Sequence, residues 1–307
     1  MSSLIAIVGP TAIGKSSVAI QLAKSYNGEI VSADSCQVYR YMDIGTAKPS
    51  LDDQKLTAHH LIDVIDPDQP FDLATYQKLA YKAIDDIHKR GKLAILVGGS
   101  GLYVRAILRG YAIPTAPPDN GLRESLERKT KAEGHEVLFA ELQRIDPDAA
   151  RSIDGRNVRR VIRAIEVYKT TGQPYSQQAK AIPPAYDILT VGLNVDREQL
   201  YRRIDSRVDA MIEEGLVDEV KNLAQKGYSF NLTSLRSLGY RQIGEHLSGQ
   251  CALNEATDKI KYETHRFARH QYAWFKPKDK SINWYDINDD TLPPITDLVK
   301  QFLAQQK

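Results

Sequence analysis

The segment Gly9-Pro-Thr-Ala-Ile-Gly-Lys15-Ser16 constrains this chain more than any other. It fits G-x-x-x-x-G-K-[ST], a loop whose backbone amides cradle phosphates. Its flanks agree with that pattern. Leu4 to Val8 is a short apolar run that reads as a buried strand. From Gly14 onward, Val18, Ala19, Leu22 and Ala23 recur at helical spacing. A helix starting there turns its free N–H groups, and the positive end of its dipole, toward an anion. Lys15 adds a point charge, and the Ser16 hydroxyl can bind magnesium.

The next hundred residues keep alternating strand and helix signals. Ile30-Val31-Ser32 predicts a second strand, Asp72 caps a helix reaching about Lys89, and Leu93–Val97 is a continuous apolar strand ending in Gly98-Gly99. Such alternation predicts an α/β fold: a P-loop core with a parallel sheet and helices on both faces. Pro114-Thr-Ala-Pro-Pro-Asp119 is a linker, Leu122 to Thr171 carries helical signals only, and Pro174 to Tyr186 is a second, Pro/Gln/Ala-rich linker. Strand character returns at Asp187–Leu193. The expected organisation is a first core part over 1–114, an all-helical insertion over 115–185 and a second core part over 186–307. Helices are expected near 197–214 and 216–226, ended by Gly215 and Gly227, and over about 254–275, ahead of Pro277.

Composition removes several classes of function. Lys and Arg number 41 against 39 Asp and Glu, a net charge of +2, so nucleic-acid binding would have to rest on local patches. Two isolated cysteines, Cys36 and Cys251, cannot form a disulfide framework or a four-cysteine zinc site. The N-terminus enters the first strand without a basic n-region, and no run of 18 apolar residues occurs. The expectation is a soluble, cytoplasmic, monomeric protein with no membrane partner.

Three further features suggest chemistry. The second strand ends in Ser32-Ala-Asp34-Ser35. In a doubly wound sheet ligands sit beyond the carboxyl ends of the strands, so Asp34 should stand near the phosphate loop as a general base or magnesium ligand. A cap for the next turn is the structural alternative. After Leu93–Val97 the chain reads Gly98-Gly99-Ser100-Gly101-Leu-Tyr103, with no acid where P-loop hydrolases organise magnesium and water. A hydroxyl at Ser100 suits an uncharged acceptor, although a tight turn would also explain the glycines. Two basic clusters complete the set. On the helix near Asn157, Val158, Val161, Ile162 and Ile165 form a buried stripe, with Arg159, Arg160 and Arg163 on the other side. Arg266, Arg269, Lys276, Lys278 and Lys280 interleave with Tyr272, Trp274 and Phe275, a pattern of cations and rings suited to single-stranded RNA. Solvated faces and core aromatics are the alternatives.

Five stretches together resemble the bacterial tRNA dimethylallyltransferases: GPTAIGKS at Gly9–Ser16, SADSCQVYRYMDIGTAKP at Ser32–Pro49, VGGSGLY at Val97–Tyr103, SLGYRQ at Ser237–Gln242 and RHQYAWFK at Arg269–Lys276. The likeness runs from residue 4 to about 285. It implies transfer of a dimethylallyl group from dimethylallyl diphosphate to the exocyclic amine of the adenosine 3′ of the tRNA anticodon. The phosphate loop would then hold the donor's diphosphate rather than ATP, with magnesium at Ser16. The resemblance implies Asp34 as base and Ser100, where many members carry Thr, as a hydroxyl contact to the amine. It implies diphosphate contacts at Gly9, Thr11, Ala12, Gly14, Lys15, Ser16 and Arg241. For tRNA it implies Asp34, Ser35, Cys36, Gln37, Ser100, Arg123, Arg159, Arg160, Arg163, Arg236, Tyr240, Arg241, Arg269, Gln271, Trp274 and Lys276. The helical insertion would grip the anticodon arm.

Other readings stay open on the residues alone. A P-loop kinase of a small metabolite predicts ATP binding and an acid after the third strand. A prenyltransferase acting on free adenine nucleotides has no use for the basic clusters. A nucleotide-gated RNA-binding protein leaves Asp34 and Ser100 without a purpose.

Overall fold

The computed structural model describes residues 2–305 apart from 115, 180 and 289, so Thr115 and Lys180 of the two expected linkers lie outside the described residues. The chain divides into two compact units, Met1–Leu108 with Ala185–Lys307, and Arg109–Pro184.

The first unit opens with β1 (Ser2–Val8), α1 (Lys15–Ser25), β2 (Gly28–Ser32), α2 (Leu51–Leu56), β3 (His59–His60), α3 (Leu73–Lys89), β4 (Leu93–Gly98) and α4 (Gly101–Leu108). The second unit holds helices α5 (Asn120–Glu133), α6 (His135–Ile145), α7 (Pro147–Ser152), α8 (Val158–Thr171) and α9 (Tyr175–Gln178). The first unit resumes with β5 (Tyr186–Asn194), α10 (Arg197–Glu213), α11 (Leu216–Gln225), α12 (Tyr240–Leu247), α13 (Leu253–Trp274), β6 (Asn283–Asp286) and α14 (Leu292–Ala304). Among the described residues no helix is long and apolar enough to cross a membrane.

Six described strands form one parallel sheet in the order β3-β2-β4-β1-β5-β6. The continuous apolar runs of β1 and β4 are what a strand covered on both faces requires. Alternate residues serve opposite cores. Ile5 and Ile7 of β1 and Ile95 and Val97 of β4 join α1, α10 and α13 on one face. Leu4, Ala6 and Val8, with Ala94 and Leu96, meet Tyr76, Ile84 and Ile87 of α3 and Val104 and Ile107 of α4 on the other. The P-loop α/β core with helices on both faces is therefore borne out. Strand β6 and helix α14 extend it beyond the elements read from sequence.

The second unit has its own core, in which Leu126, Leu138, Leu142, Val161, Ile162 and Ile165 close around one another. Its helices start on acceptor side chains. Asp119 caps α5, Asp146 caps α7 ahead of Pro147, and Asn157 caps α8. Each supplies a partner to an amide that the first helical turn leaves open.

Candidate active site

The phosphate loop leaves β1 at Gly9 and enters α1 after Gly14. Gly9 has φ +145°, and a Cβ there would stand 2.6 Å from the Leu193 carbonyl oxygen of β5. Gly14, at φ +95°, forms the left-handed junction into α1 and makes no side-chain cap. The open amides of α1 therefore face the loop, as anion binding requires. Lys15 Nζ donates to the Pro10 carbonyl at 2.6 Å. Burial, reinforced by Arg207, lowers the Lys15 ammonium from 10.5 to about 7, against the opposing pull of Asp34.

Asp34 follows β2, and its Oδ1 accepts N–H groups from Cys36 at 2.8 Å and Gln37 at 3.4 Å. The local-turn reading of Asp34 is realised, and the carboxylate is fixed in direction. Ser100, after β4, accepts the Ser35 N–H at 3.1 Å, and its hydroxyl donates to Ser35 Oγ at 3.3 Å. Gly98 permits this approach, because a Cβ there would meet the Ala33 carbonyl oxygen at 2.2 Å. Gln37 is turned inward: Ser32 Oγ donates to its Oε1, and its Nε2 donates to the carbonyls of Thr46 and Ala47. Burial pushes the Cys36 thiol up to about 12, so it stays protonated.

Two clefts meet at this point. One, of about 410 Å³, is lined by the phosphate loop from Thr11 to Ser16 and by Asp34, Arg203 and Arg207. The other, of about 300 Å³, is mainly apolar, with Ile204, Val208, Met211, Leu238, Ile260 and Phe267 in its walls. Thr11, Ala12, Asp34, Thr46 and Arg207 line both; Ser100 lines the apolar one. A charged head and a hydrocarbon tail joined at Asp34 would satisfy both surfaces.

The segment between Asp34 and β3 is held from outside itself. Glu219 Oε2 accepts the amides of Asp43 and Ile44 at 2.9 and 2.8 Å, and Oε1 accepts that of Gly45 at 3.2 Å. Lys48, almost fully buried, donates to Asp63, Asp43 and the Tyr39 carbonyl. These bonds fix Gly45 and Thr46, which line the apolar cleft.

Several expected site residues have other surroundings. Arg241 pairs with Glu263 and Glu245 and lines neither cleft; Arg203 and Arg207 of α10, which do line the phosphate-loop cleft, add cations to it beside Lys15 and Lys48. Tyr240 is fully buried, and its hydroxyl donates to Glu219 at 2.6 Å, so it supports the 43–45 segment instead of presenting a surface. Gln271 is likewise buried, accepting the Thr11 amide at 2.8 Å and donating to the Gly99 carbonyl at 3.0 Å. The rings of the last basic cluster are not a free stacking face. Phe275 is core, and Tyr272 donates its hydroxyl to Asn194. Trp274 packs against that core under the guanidinium of Arg105, 5.2 Å from the ring centre. The cause is the inward face of α13, on which Ala268 and Gln271 are buried, continued by Phe275 just past the helix end.

In the second unit the buried Glu166 stands between Arg163 and Arg123. Arg163 donates to Oε2 at 2.6 Å, Arg123 to Oε2 at 2.9 Å, and the Asp119 amide to Oε1 at 2.7 Å. Burial pushes the Glu166 carboxyl upward, but these donors outweigh it and hold it below the usual range. Arg159 and Arg160 are exposed. In the first unit Arg236, Arg269 and Lys276 are exposed, with Arg269 donating to the Tyr201 hydroxyl at 2.6 Å.

The family model described as IPP transferase matches residues 37–278. A tRNA dimethylallyltransferase of Roseiflexus castenholzii is 51% identical over 276 residues, 90% of each chain. One from Thermomicrobium roseum is 48% identical over 284 residues, 92% of this chain and 86% of that protein. Among solved structures, a tRNA isopentenylpyrophosphate transferase of Bacillus halodurans superposes with TM-score 0.73 at 40% identity, covering 99% of this chain and 96% of the other. A eukaryotic dimethylallyltransferase acting on tRNA superposes with TM-score 0.84 at 27% identity, covering 99% and 80%.

Proposed function

This chain belongs to the IPP transferase family, and we propose that it transfers a dimethylallyl group from dimethylallyl diphosphate to the exocyclic amine of the adenosine 3′ of the tRNA anticodon. The observation that carries this reading is the meeting of a phosphate-loop cleft and an apolar cleft at Asp34. A prenyl diphosphate has the same division, an anionic head on a hydrocarbon tail. The head suits the loop amides, Lys15, Arg203 and Arg207; the tail suits Ile204, Val208, Met211 and Leu238. The reacting carbon between them then lies beside Asp34.

The chemistry follows from the partners' weaknesses. An adenine amine is a poor nucleophile because its lone pair is delocalised into the ring. An allylic carbon is a good electrophile once its diphosphate departs. Lys15, Arg207 and the loop amides can stabilise charge growing on the leaving group in a partly dry cleft. Asp34 can take the amine proton as the nitrogen–carbon bond forms. The Ser100 hydroxyl, tied to the Ser35 amide, orients the amine.

Magnesium suits this donor set as an ion shared with the substrate. Ser16 and Asp34 line the same cleft, while no group of three or more His, Cys, Asp or Glu side chains among the described residues could hold a metal. Magnesium often takes one or two protein oxygens, substrate phosphates and water. When bound, it would draw charge from the diphosphate.

For tRNA, the exposed Arg159, Arg160, Arg236, Arg269 and Lys276 supply charge for phosphates, and the helical unit grips the anticodon arm. The target base has to leave its stack to reach a closed site. The enzyme works as a cytoplasmic monomer. The test is release of diphosphate from dimethylallyl diphosphate, expected only when an adenosine-bearing anticodon stem-loop is present. Sustained ATP hydrolysis without such release would favour a kinase.

A further inference from the structure

Met211 lines two clefts at once. It forms part of the wall of the apolar cleft of about 300 Å³ at Asp34, and part of the wall of a neighbouring cleft of about 420 Å³. The neighbouring cleft is lined by Ile44, Ala47, Pro49 and Ala210 on one part of its wall and by the charged Lys48, Asp63 and Glu214 on the rest. The helical spacing of α10 explains the arrangement. Ile204 and Val208 face the apolar cleft, Ala210 and, just past the helix end, Glu214 flank the second, and Arg207 and Met211 line both. Met211 stands where the two faces adjoin.

The opposite side of this seam is the backbone from Ile44 to Ala47. Gly45 and Thr46 line the apolar cleft, and Ile44 and Ala47 the neighbouring one. That backbone cannot easily give way, because Glu219 accepts the amides of Ile44 and Gly45 and that of Asp43 just before them. Tyr240 closes its rear, since a Cβ on Gly45 would meet the Tyr240 ring at 2.5 Å. Arg207, the other side chain common to both clefts, also lines the phosphate-loop cleft. The apolar partition is thus one flexible methionine, a side chain suited to filling irregular gaps.

We infer that Met211 sets the length of the prenyl group this protein accepts, ending the tail pocket at one isoprene unit and excluding a geranyl group. The inference rests on the proposed prenyl-transfer reading of the site. With the longer donor the step is unchanged: the amine nitrogen bonds to carbon 1 as the carbon–oxygen bond breaks, diphosphate leaves with the bonding pair, and the amine proton passes to Asp34. Only the tail beyond the first isoprene unit needs new room, and shortening Met211 joins the second cleft to the first.

The experiment compares transfer from dimethylallyl and geranyl diphosphate to one anticodon stem-loop, using wild type, Met211→Ala, Met211→Val and Met211→Leu. For Met211→Ala the ratio of kcat/KM for geranyl over dimethylallyl should rise at least about tenfold, as the removal of a few carbon atoms from a pocket wall commonly allows. Met211→Val should give a smaller rise, and Met211→Leu, of similar volume, a ratio near wild type. Melting temperatures identify any variant that fails to fold, and Met211→Val then decides alone. Folded Met211→Ala or Met211→Val with dimethylallyl transfer retained and the ratio unchanged would overturn the inference. So would wild-type protein that already uses both donors equally. Wild type inactive with both donors would instead refute the prenyl-transfer reading itself.

Discussion

Gln271 ties the end of the longest described helix to the phosphate loop: its carboxamide oxygen accepts the Thr11 amide at 2.8 Å across 260 positions of sequence. Its nitrogen donates to the Gly99 carbonyl at 3.0 Å, so one buried side chain joins the two turns that frame the diphosphate cleft. Gln271→Ala strands both backbone groups, and an unpaired buried polar group costs about 1–3 kcal/mol. Urea unfolding should register a loss of that size, and donor affinity should fall with it. Gln271→Glu keeps the acceptor but sets a negative charge beside the anion site, so it should weaken donor binding more than alanine does. Unchanged affinity in both variants would rule out this coupling.

Asp34→Asn preserves shape and most hydrogen bonding but removes the proton acceptor. Loss of a general base typically costs about 10²- to 10⁴-fold in turnover. Single-turnover transfer should slow by that range while the dissociation constant of dimethylallyl diphosphate shifts far less. A wild-type rate for Asp34→Asn would show that the proton leaves by another path.

Lys15 gives donor binding a pH signature. Burial, with Arg207, holds its ammonium at about 7 rather than 10.5. Between those values the unfolded chain carries a proton that the native protein lacks, so this residue makes native stability rise with pH across that window. A bound diphosphate favours the charged form and raises the Lys15 pKa, so binding near pH 8 takes up a proton and affinity declines as pH climbs above about 7. Calorimetry in buffers of different protonation enthalpy should detect the uptake in wild type and lose it in Lys15→Ala.

The arginines of the helical unit separate by environment. Arg159 and Arg160 are exposed, whereas Arg163 and Arg123 share the buried Glu166. Each phosphate neutralised contributes about −0.7 to −0.9 to the slope of log affinity against log salt. Arg159→Ala and Arg160→Ala should each flatten that slope with little effect on stability. Arg163→Ala should instead destabilise the helical unit, seen as faster hydrogen exchange in α5 and α8. Identical salt slopes for wild type and the Arg159 and Arg160 variants would remove them from the tRNA surface.

The sheet was legible because its signals are local. Apolar runs at Leu4–Val8 and Leu93–Val97, a glycine-rich loop and a helical repeat after Gly14 each act over a few residues. Asp34 was legible for the same reason, since a parallel sheet delivers the carboxyl end of β2 to the carboxyl end of β1. Arg207 was not, because an arginine on the polar side of α10 resembles any solvated residue until the helix packs over the phosphate loop. Glu166 carried a weak signal that could have been used: an acid next to Ile165 in an apolar stripe, three residues after Arg163. Gln271 and Tyr240 looked like surface residues only because their partners, Thr11 and Glu219, are distant in sequence. The short strand Asn283–Asp286 shows no clear alternation and is defined by its pairing with β5.

The central claim is transfer of a prenyl group to an anticodon adenosine, and the most direct measurement offers labelled dimethylallyl diphosphate to the protein with an anticodon stem-loop or with AMP. The prediction is label on the stem-loop at the adenosine 3′ of the anticodon, lost when that adenosine is replaced by guanosine, with poor labelling of AMP. Labelling of AMP as efficiently as the stem-loop, or none of either, would contradict it.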